Sequence, residues 1–197
     1  MQPTIPRDTF CALIDVKSTT LSQRQYTGEQ AFAFGLSKPA HLNEYLYLDA
    51  AAALLASMLN CFGGLELKHA ANIVRQTWDD WLTLLIRAES APHVEQYVCV
   101  AWTSLDRSEP PHIAMGEAAD IAKVCPPSET APCMISMQLL LRCLRANAAK
   151  AAKAGIELPA RLTVDPADKA AYAEWRRQID EHRQAAGERV ARAKAPA

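Results

Sequence analysis

Apolar positions recur along the chain with two different periods, and the change between them falls near residue 90. Before it the spacing is helical. After a mixed N-terminal stretch, Thr27 to Gly35 reads as a short helix carrying Ala31, Phe32 and Phe34. Gly35 suits the left-handed conformation that ends a helix, Leu36 fills the turn, and Ser37 is placed to cap a second helix with Lys38 and Pro39 in its first turn. Asp49 reads as the N-cap of an Ala/Leu-rich helix over Ala50 to Asn60 that Gly63-Gly64 stops. Leu67, Ala70, Ala71, Val74, Trp78, Trp81, Leu82 and Leu85 then keep close to a period of 3.6, which predicts one continuous helix from Glu66 to about Arg87.

Beyond Ala91-Pro92, which breaks the helix, Val94 to Trp102 alternates Val94, Gln96, Val98, Val100 and Trp102 with the residues between them. That alternation predicts a strand. Asp106 to Pro111 reads as a turn, His112 to Met115 as a second strand, Glu117 to Val124 as a short helix and Pro126 to Pro132 as a loop. Met134 to Ser136 leads into a long helix capped by Ser136, with Leu139, Leu140, Cys143, Leu144, Ala148 and Ala151 on one face and Gly155 at its end. Asp165-Pro166 starts a last helix with Asp168 in its first turn and a stripe of Tyr172, Trp175 and Ile179, and the chain is expected to fray from about Gly187. The fold class is therefore mainly α (α+β). A helical domain over residues 20–89 precedes a small α+β domain over 90–158 and a basic C-terminal helix and tail over 159–197. No internal repeat is visible.

Length and composition narrow the class. With 197 residues, half of them hydrophobic, the chain can bury a core without metal or disulfide. The longest apolar runs, Ala50 to Leu59 and Met137 to Leu141, are too short to span a bilayer. Met1 to Phe10 lacks the charged-then-apolar order of a secretion signal, so the cytoplasm is the expected location. The six cysteines have no C-x-x-C pair and read as packed free thiols. Cys125 and Cys133 with His112 upstream lack a fourth zinc ligand. The net charge of −1 hides an asymmetry, because residues 142–197 carry 12 Lys and Arg against 7 Asp and Glu.

The order of pieces in residues 26–75 resembles the DNA-binding domain of the MerR family of transcription regulators. Tyr26-Thr27, Glu29-Gln30-Ala31 and Gly35-Leu36-Ser37-Lys38 match its opening helix, turn and recognition helix. Tyr47-Leu48-Asp49, the helix after it, and Gly64-Leu65-Glu66-Leu67 with Ala70, Ala71 and Ile73 match its later helices. The resemblance implies a helix-turn-helix regulator that binds double-stranded DNA as a homodimer. It places the reader at Ser37, Lys38, His41 and Asn43, with Arg24 nearby. Arg142 and Arg145 on one helix and Arg176 and Arg177 on another are candidates for phosphate contacts, with a solvated surface as the alternative. The apolar face of Met137 to Ala154 and the stripe Tyr172, Trp175, Ile179 are the two candidate dimer contacts, with intramolecular core an equal alternative for either.

Enzyme chemistry is not expected. The chain has no phosphate-binding glycine motif, H-E-x-x-H or G-x-S-x-G, and none of the five histidines has a nearby nucleophile with an orienting acid. Asp79-Asp80, between Trp78 and Trp81, reads as a solvated helix face, and Trp102 as core. No cofactor, metal or membrane partner is expected, and a small-molecule effector remains open. The competing readings are a helical protein-interaction module without DNA binding and a small-ligand sensor in residues 91–158.

Overall fold

A computed structural model describes residues 4–27, 44–103, 109–125, 131–174, 176–178 and 181, with 25–27 and 44 described by backbone alone. The protein is mainly helical with a small three-stranded antiparallel sheet, as its apolar periods predict. In chain order the elements are β1 (Ile5–Pro6), α1 (Arg7–Leu13), α2 (Ser18–Thr27), β2 (Glu44–Tyr45), α3 (Tyr47–Cys61), α4 (Leu67–Gln76) and α5 (Trp78–Ser90). They continue with β3 (Tyr97–Ala101), β4 (His112–Gly116), α6 (Ala118–Val124), β5 (Cys133–Ser136) and α7 (Met137–Lys153), and residues 166–174 and 176–178 form a C-terminal helix.

Helix α3 is the centre of the molecule. Its Ala-rich sequence has high helix propensity and lets neighbouring helices approach closely, and eleven of its residues are buried. Asp49 acts one turn away from where its type suggests: the helix starts at Tyr47, and the Asp49 carboxylate reaches back to accept from the Leu46 N–H at 2.7 Å. Gly63 follows the helix end because a side chain there would meet the Leu59 carbonyl at 2.6 Å.

The expected single helix from Glu66 to Arg87 is two. Thr77 (φ −100°, ψ 26°) ends α4 and starts α5. Its N–H and its Oγ1 both donate to the Ile73 carbonyl at 2.9 Å, and its own carbonyl accepts from the Asp80 and Trp81 N–H groups at 3.1 Å. A back-bonding Thr of this kind competes with the regular ladder and leaves no Gly or Pro signal in the sequence. Across the break, Trp81 donates its indole N–H to the Val74 carbonyl at 2.8 Å. Asp79 and Asp80 are exposed while Trp81 is buried, as the pattern predicts.

The sheet has the order β4-β3-β5. One side, with Val98, Val100 and Ile135, joins the main core. On the other, Cys99 and Ala114 pack with Ile121 of α6 in a small separate cluster. Strand β5 is an addition to the sequence reading, which treats Met134 to Ser136 as a lead into α7. Its four residues pair with β3, Cys99 opposite Met134 and Val100 opposite Cys133. Ser136 caps α7 by accepting from the Leu139 N–H at 3.3 Å, and Gly155 (φ 76°) follows its end.

The main apolar core runs from Ile5 to Tyr172 and draws residues from both sides of positions 89 and 158. Helix α7 packs against α1, α3 and α5, so its apolar face, including Leu140, Leu141 and Leu144, is intramolecular core. Tyr172 is buried against Trp78 and Trp81 with ring centroids 5.9 and 6.2 Å away. These two stripes, expected as dimer contacts, are therefore used inside the chain at every described position but Leu139, which is 38% exposed. Trp175 and Ile179 lie outside the described side chains. No described helix is long and apolar enough to cross a membrane.

Candidate nucleic-acid interface

The N-terminal stretch that lacks a clear period in sequence folds into two helices at a tight turn. Helix α1 buries Thr9, Phe10, Cys11 and Leu13, and its end is a Schellman closure. Asp15 takes the left-handed conformation (φ 54°), its N–H donates to the Ala12 carbonyl at 3.3 Å, and the Val16 N–H donates to the Cys11 carbonyl at 3.0 Å. Asp tolerates this conformation better than most side chains do, which is why no glycine marks the turn. Four residues, Ile14 to Lys17, then separate α1 from α2. The result is two short helices joined by a four-residue turn.

Both helices are held from outside. Arg7 donates to Ser18 Oγ at 2.9 Å, to the Ser18 carbonyl at 3.0 Å and to Ser22 Oγ at 2.7 Å, tying the start of α1 to the first turns of α2. Phe10 stacks on Tyr45 of β2 with centroids 4.1 Å apart. Buried Asn147 of α7 donates to the Leu13 carbonyl at 2.9 Å, satisfying a carbonyl that the end of α1 leaves open, and Thr9 donates to the Glu157 carbonyl at 2.8 Å.

Helix α2 is buried at only one of its described side chains. Leu21 anchors it in the core, Thr20 and Arg24 are half-buried, and Ser18, Thr19, Ser22 and Gln23 are exposed together with Lys17 just before them. The spacing puts Ser18, Thr19, Ser22 and Gln23 on one face. Every one of these side chains can donate a hydrogen bond, and residues 16–28 contain Lys17 and Arg24 but no acid. The N-terminus of α2 adds the positive end of a helix dipole. Such a surface can grip phosphate and read base edges.

The residues expected to form the interface are described only in part. Ser37, Lys38, His41 and Asn43 lie outside the described residues. Arg24 is on α2, at the edge of the exposed face. Arg142 and Arg145 are exposed on α7 beside a shallow cleft of about 270 Å³ that also takes in Glu95, and Arg145 is ion-paired with Glu89 of α5. Lys150 of α7 stands 3.9 Å from the Asp15 carboxylate in the turn.

Arg176 corrects the expected solvent face of the last helix. It is only 7% exposed, donates to the Arg75 carbonyl at 3.2 Å and lies 6.0 Å from the centre of the Trp78 ring. Burial among α4 and α5 makes it part of the packing. Arg177 is exposed but carries ion pairs to both Glu174, at 2.6 Å, and Glu181. The Arg177 and Gln178 hydrogen bonds hold the Glu174 carboxyl down at about 2. Farther back, Lys169 pairs with Asp79 at 2.9 Å and Arg161 pairs with Asp165 and Asp168.

The chain matches no known protein-family model, and no curated protein matches it in sequence. The functional reading therefore rests on its own geometry. A second concave region, about 450 Å³, opens between α5 and β4. It is lined by Leu84, Ile113 and Met115 with Arg87, Asp80 and Glu117 at its polar side. Among the described residues no three His, Cys, Asp or Glu side chains converge to hold a metal.

The signal for α1 is present in the sequence in the apolar group Phe10 to Ile14, whereas α2 offers only Val16 and Leu21 around a polar Lys17-Ser18-Thr19-Thr20. It is easily passed over because each helix is short and the turn has no glycine. The expected turn at Gly35 lies outside the described residues.

Proposed function

We propose that this protein binds duplex DNA as a sequence-specific transcription regulator, and that α2 is the helix that enters the major groove. The observation that carries this reading is the unit α1-turn-α2: a left-handed Asp15 between two short helices, with Leu21 buried and a face of hydrogen-bonding side chains turned to solvent. This keeps the resemblance to a MerR-like regulator and moves the reader upstream, from Ser37–Asn43 to Ser18–Gln23. The helices α3 and α4 then follow it in the order that the family has.

Chemistry assigns roles along the face. Gln23 can make a bidentate pair with adenine, Thr19 offers a hydroxyl to base edges and a methyl to thymine, and Lys17 and Ser18 suit phosphate. Arg7 acts from behind by fixing Ser18 and Ser22. One short reader spans too few base pairs to be specific, so the proposed working form is a dimer on two half-sites. Its contact surface is distinct from the α7 and Tyr172 stripes that the core consumes.

Selection of duplexes from a random pool, followed by anisotropy titration, tests this. Gln23→Ala should lower affinity for the selected site about 10-fold or more while non-specific binding holds, in keeping with about 1–3 kcal/mol per bidentate base pair. Lys17→Ala should weaken all sequences alike and reduce the salt slope by about one. Paired substitution of Lys38 and Asn43 supplies the comparison: if that pair and not Gln23 abolishes selectivity, the reader lies at 37–43. A protein that ignores duplex DNA at low salt would return the function to a protein-interaction module or to a small ligand in the α5–β4 cleft.

A further inference from the structure

We propose that Cys99 and Cys125 are an oxidisable pair, closing to an intramolecular disulfide when the protein meets a hydroperoxide. Their sulfurs are 3.6 Å apart, in contact across the outer face of the sheet. Cys99 is fully buried in the middle of β3, under Ile121 and beside Ala114. Cys125 is half-exposed at the end of α6, where its N–H closes the helix on the Ile121 carbonyl at 2.8 Å. One thiol is thus open to a small oxidant and the other is protected directly behind it.

The remaining cysteines do not share this arrangement. Cys133 is opposite Val100 in the β3–β5 register and packs against the main core, on the other side of the sheet from Cys99. Cys11 is buried in α1, Cys143 is on α7, and Cys61 is exposed at the end of α3. A disulfide needs the sulfurs at about 2.05 Å, so the pair must close by about 1.5 Å. Cys125 sits at a helix end and can supply that movement by side-chain rotation.

The electrons balance with one peroxide. The Cys125 thiol gives its proton to solvent, the thiolate attacks one oxygen of hydrogen peroxide, the O–O bond breaks, and the leaving hydroxide takes a proton back from solvent, so that a sulfenic acid and one water result. The Cys99 sulfur then attacks the Cys125 sulfur, the S–O bond breaks, and the leaving hydroxide takes the Cys99 proton as the second water. Two thiols are oxidised by two electrons and the peroxide is reduced. Burial first, and the contact with Cys125 second, push the Cys99 thiol up, so Cys99 is the resolving sulfur and not the one that meets peroxide first. Closure would pin the end of α6 to β3 and stiffen the segment that runs from β3 through β4.

The test uses the whole reduced chain and stoichiometric hydrogen peroxide, read by intact mass and peptide mapping. The expected product is lighter by two hydrogens with the link mapped to Cys99 and Cys125. Its thermal midpoint should be higher than that of the reduced protein, and a thiol reductant should reverse both changes. Cys133→Ser should leave the reaction intact, Cys125→Ser should abolish it, and Cys99→Ser should leave a sulfenic acid at Cys125 that dimedone traps. A link that maps to any other pair, or direct over-oxidation of Cys125 in the unsubstituted protein with no loss of two hydrogens, would overturn the proposal without reference to DNA.

Discussion

The C-terminal helix and α2 are both basic by sequence, yet they use their side chains in opposite ways. In the C-terminal helix Lys169 is paired with Asp79, Arg176 is buried over Trp78, and Arg177 is divided between Glu174 and Glu181. Tyr172 donates to the buried Asp49 carboxylate at 3.3 Å, so the helix is bound into the bundle from within. Helix α2 has fewer charges, no acid within residues 16–28, one buried anchor at Leu21, and Ser18 and Ser22 held by Arg7 at its surface. The difference teaches that a surplus of Lys and Arg measures available charge only after the acids of neighbouring helices have been counted. Local neutralisation, and not the sum over a segment, decides what a phosphate would meet.

The sharpest way to break this comparison is at Tyr172. Tyr172→Ala should cost about 3–5 kcal/mol in urea unfolding, the range for a buried aromatic side chain truncated to Ala, because it empties the contact with Trp78 and Trp81 and leaves Asp49 short of a donor. A loss below about 1 kcal/mol would mean that the C-terminal helix is not a structural element and would reopen its arginines to another use.

A smaller effect is expected in the turn before α2. Asp15→Val should destabilise by about 1–2 kcal/mol, because a β-branched residue is poorly suited to the left-handed conformation that Asp15 holds. Asp15→Gly should be neutral or mildly stabilising. Equal stability of the Val and Gly variants would show that the turn does not need its left-handed residue, and the helix-turn-helix geometry would lose its support.

The smallest effect belongs to the surface pairs of the tail. Arg177 and Gln178 hold Glu174 at about 2, below its ordinary 4.5. A carboxyl lowered in the folded state contributes stability above its unfolded value and loses it as pH falls through the folded one, so this contribution is present above about pH 4.5 and fades toward pH 2. Arg177→Ala should move the Glu174 titration, followed by NMR, upward while the Gln178 bond still holds it below its ordinary value, with little change in stability at neutral pH. An unmoved titration would mean that the pair does not persist in solution and that Arg177 is freer than its partners suggest.

What was legible in the sequence follows from how local each signal is. Helix α7 was readable at both ends because Ser136 and Gly155 act on their own neighbours, and Asp165 likewise accepts from the Ala167 N–H at 2.8 Å. Strands β3 and β4 were readable from their apolar spacing. Strand β5 was not, since four residues become a strand only by pairing with β3 from across the chain. The break at Thr77 depends on a side-chain bond to Ile73 that composition does not announce. Arg176 was misplaced because amphipathicity was judged within its own helix, whereas its burial comes from α4 and α5. The turn between α1 and α2 has no glycine to mark it, because Asp15 takes the left-handed conformation there.

One bond in the first helix bears on how the molecule is made. The Leu13 carbonyl is closed by Asn147, 134 residues later, and Thr9 is held by Glu157, 148 residues later. Contacts of such separation form late and slowly, because a long loop must close before they give anything back. During synthesis the amino-terminal helices emerge first but gain these partners only after α7 has left the ribosome. The part of the chain proposed to read DNA is thus completed by the part translated well after it, so a truncated product that ends before α7 would carry α2 without the frame that orients it.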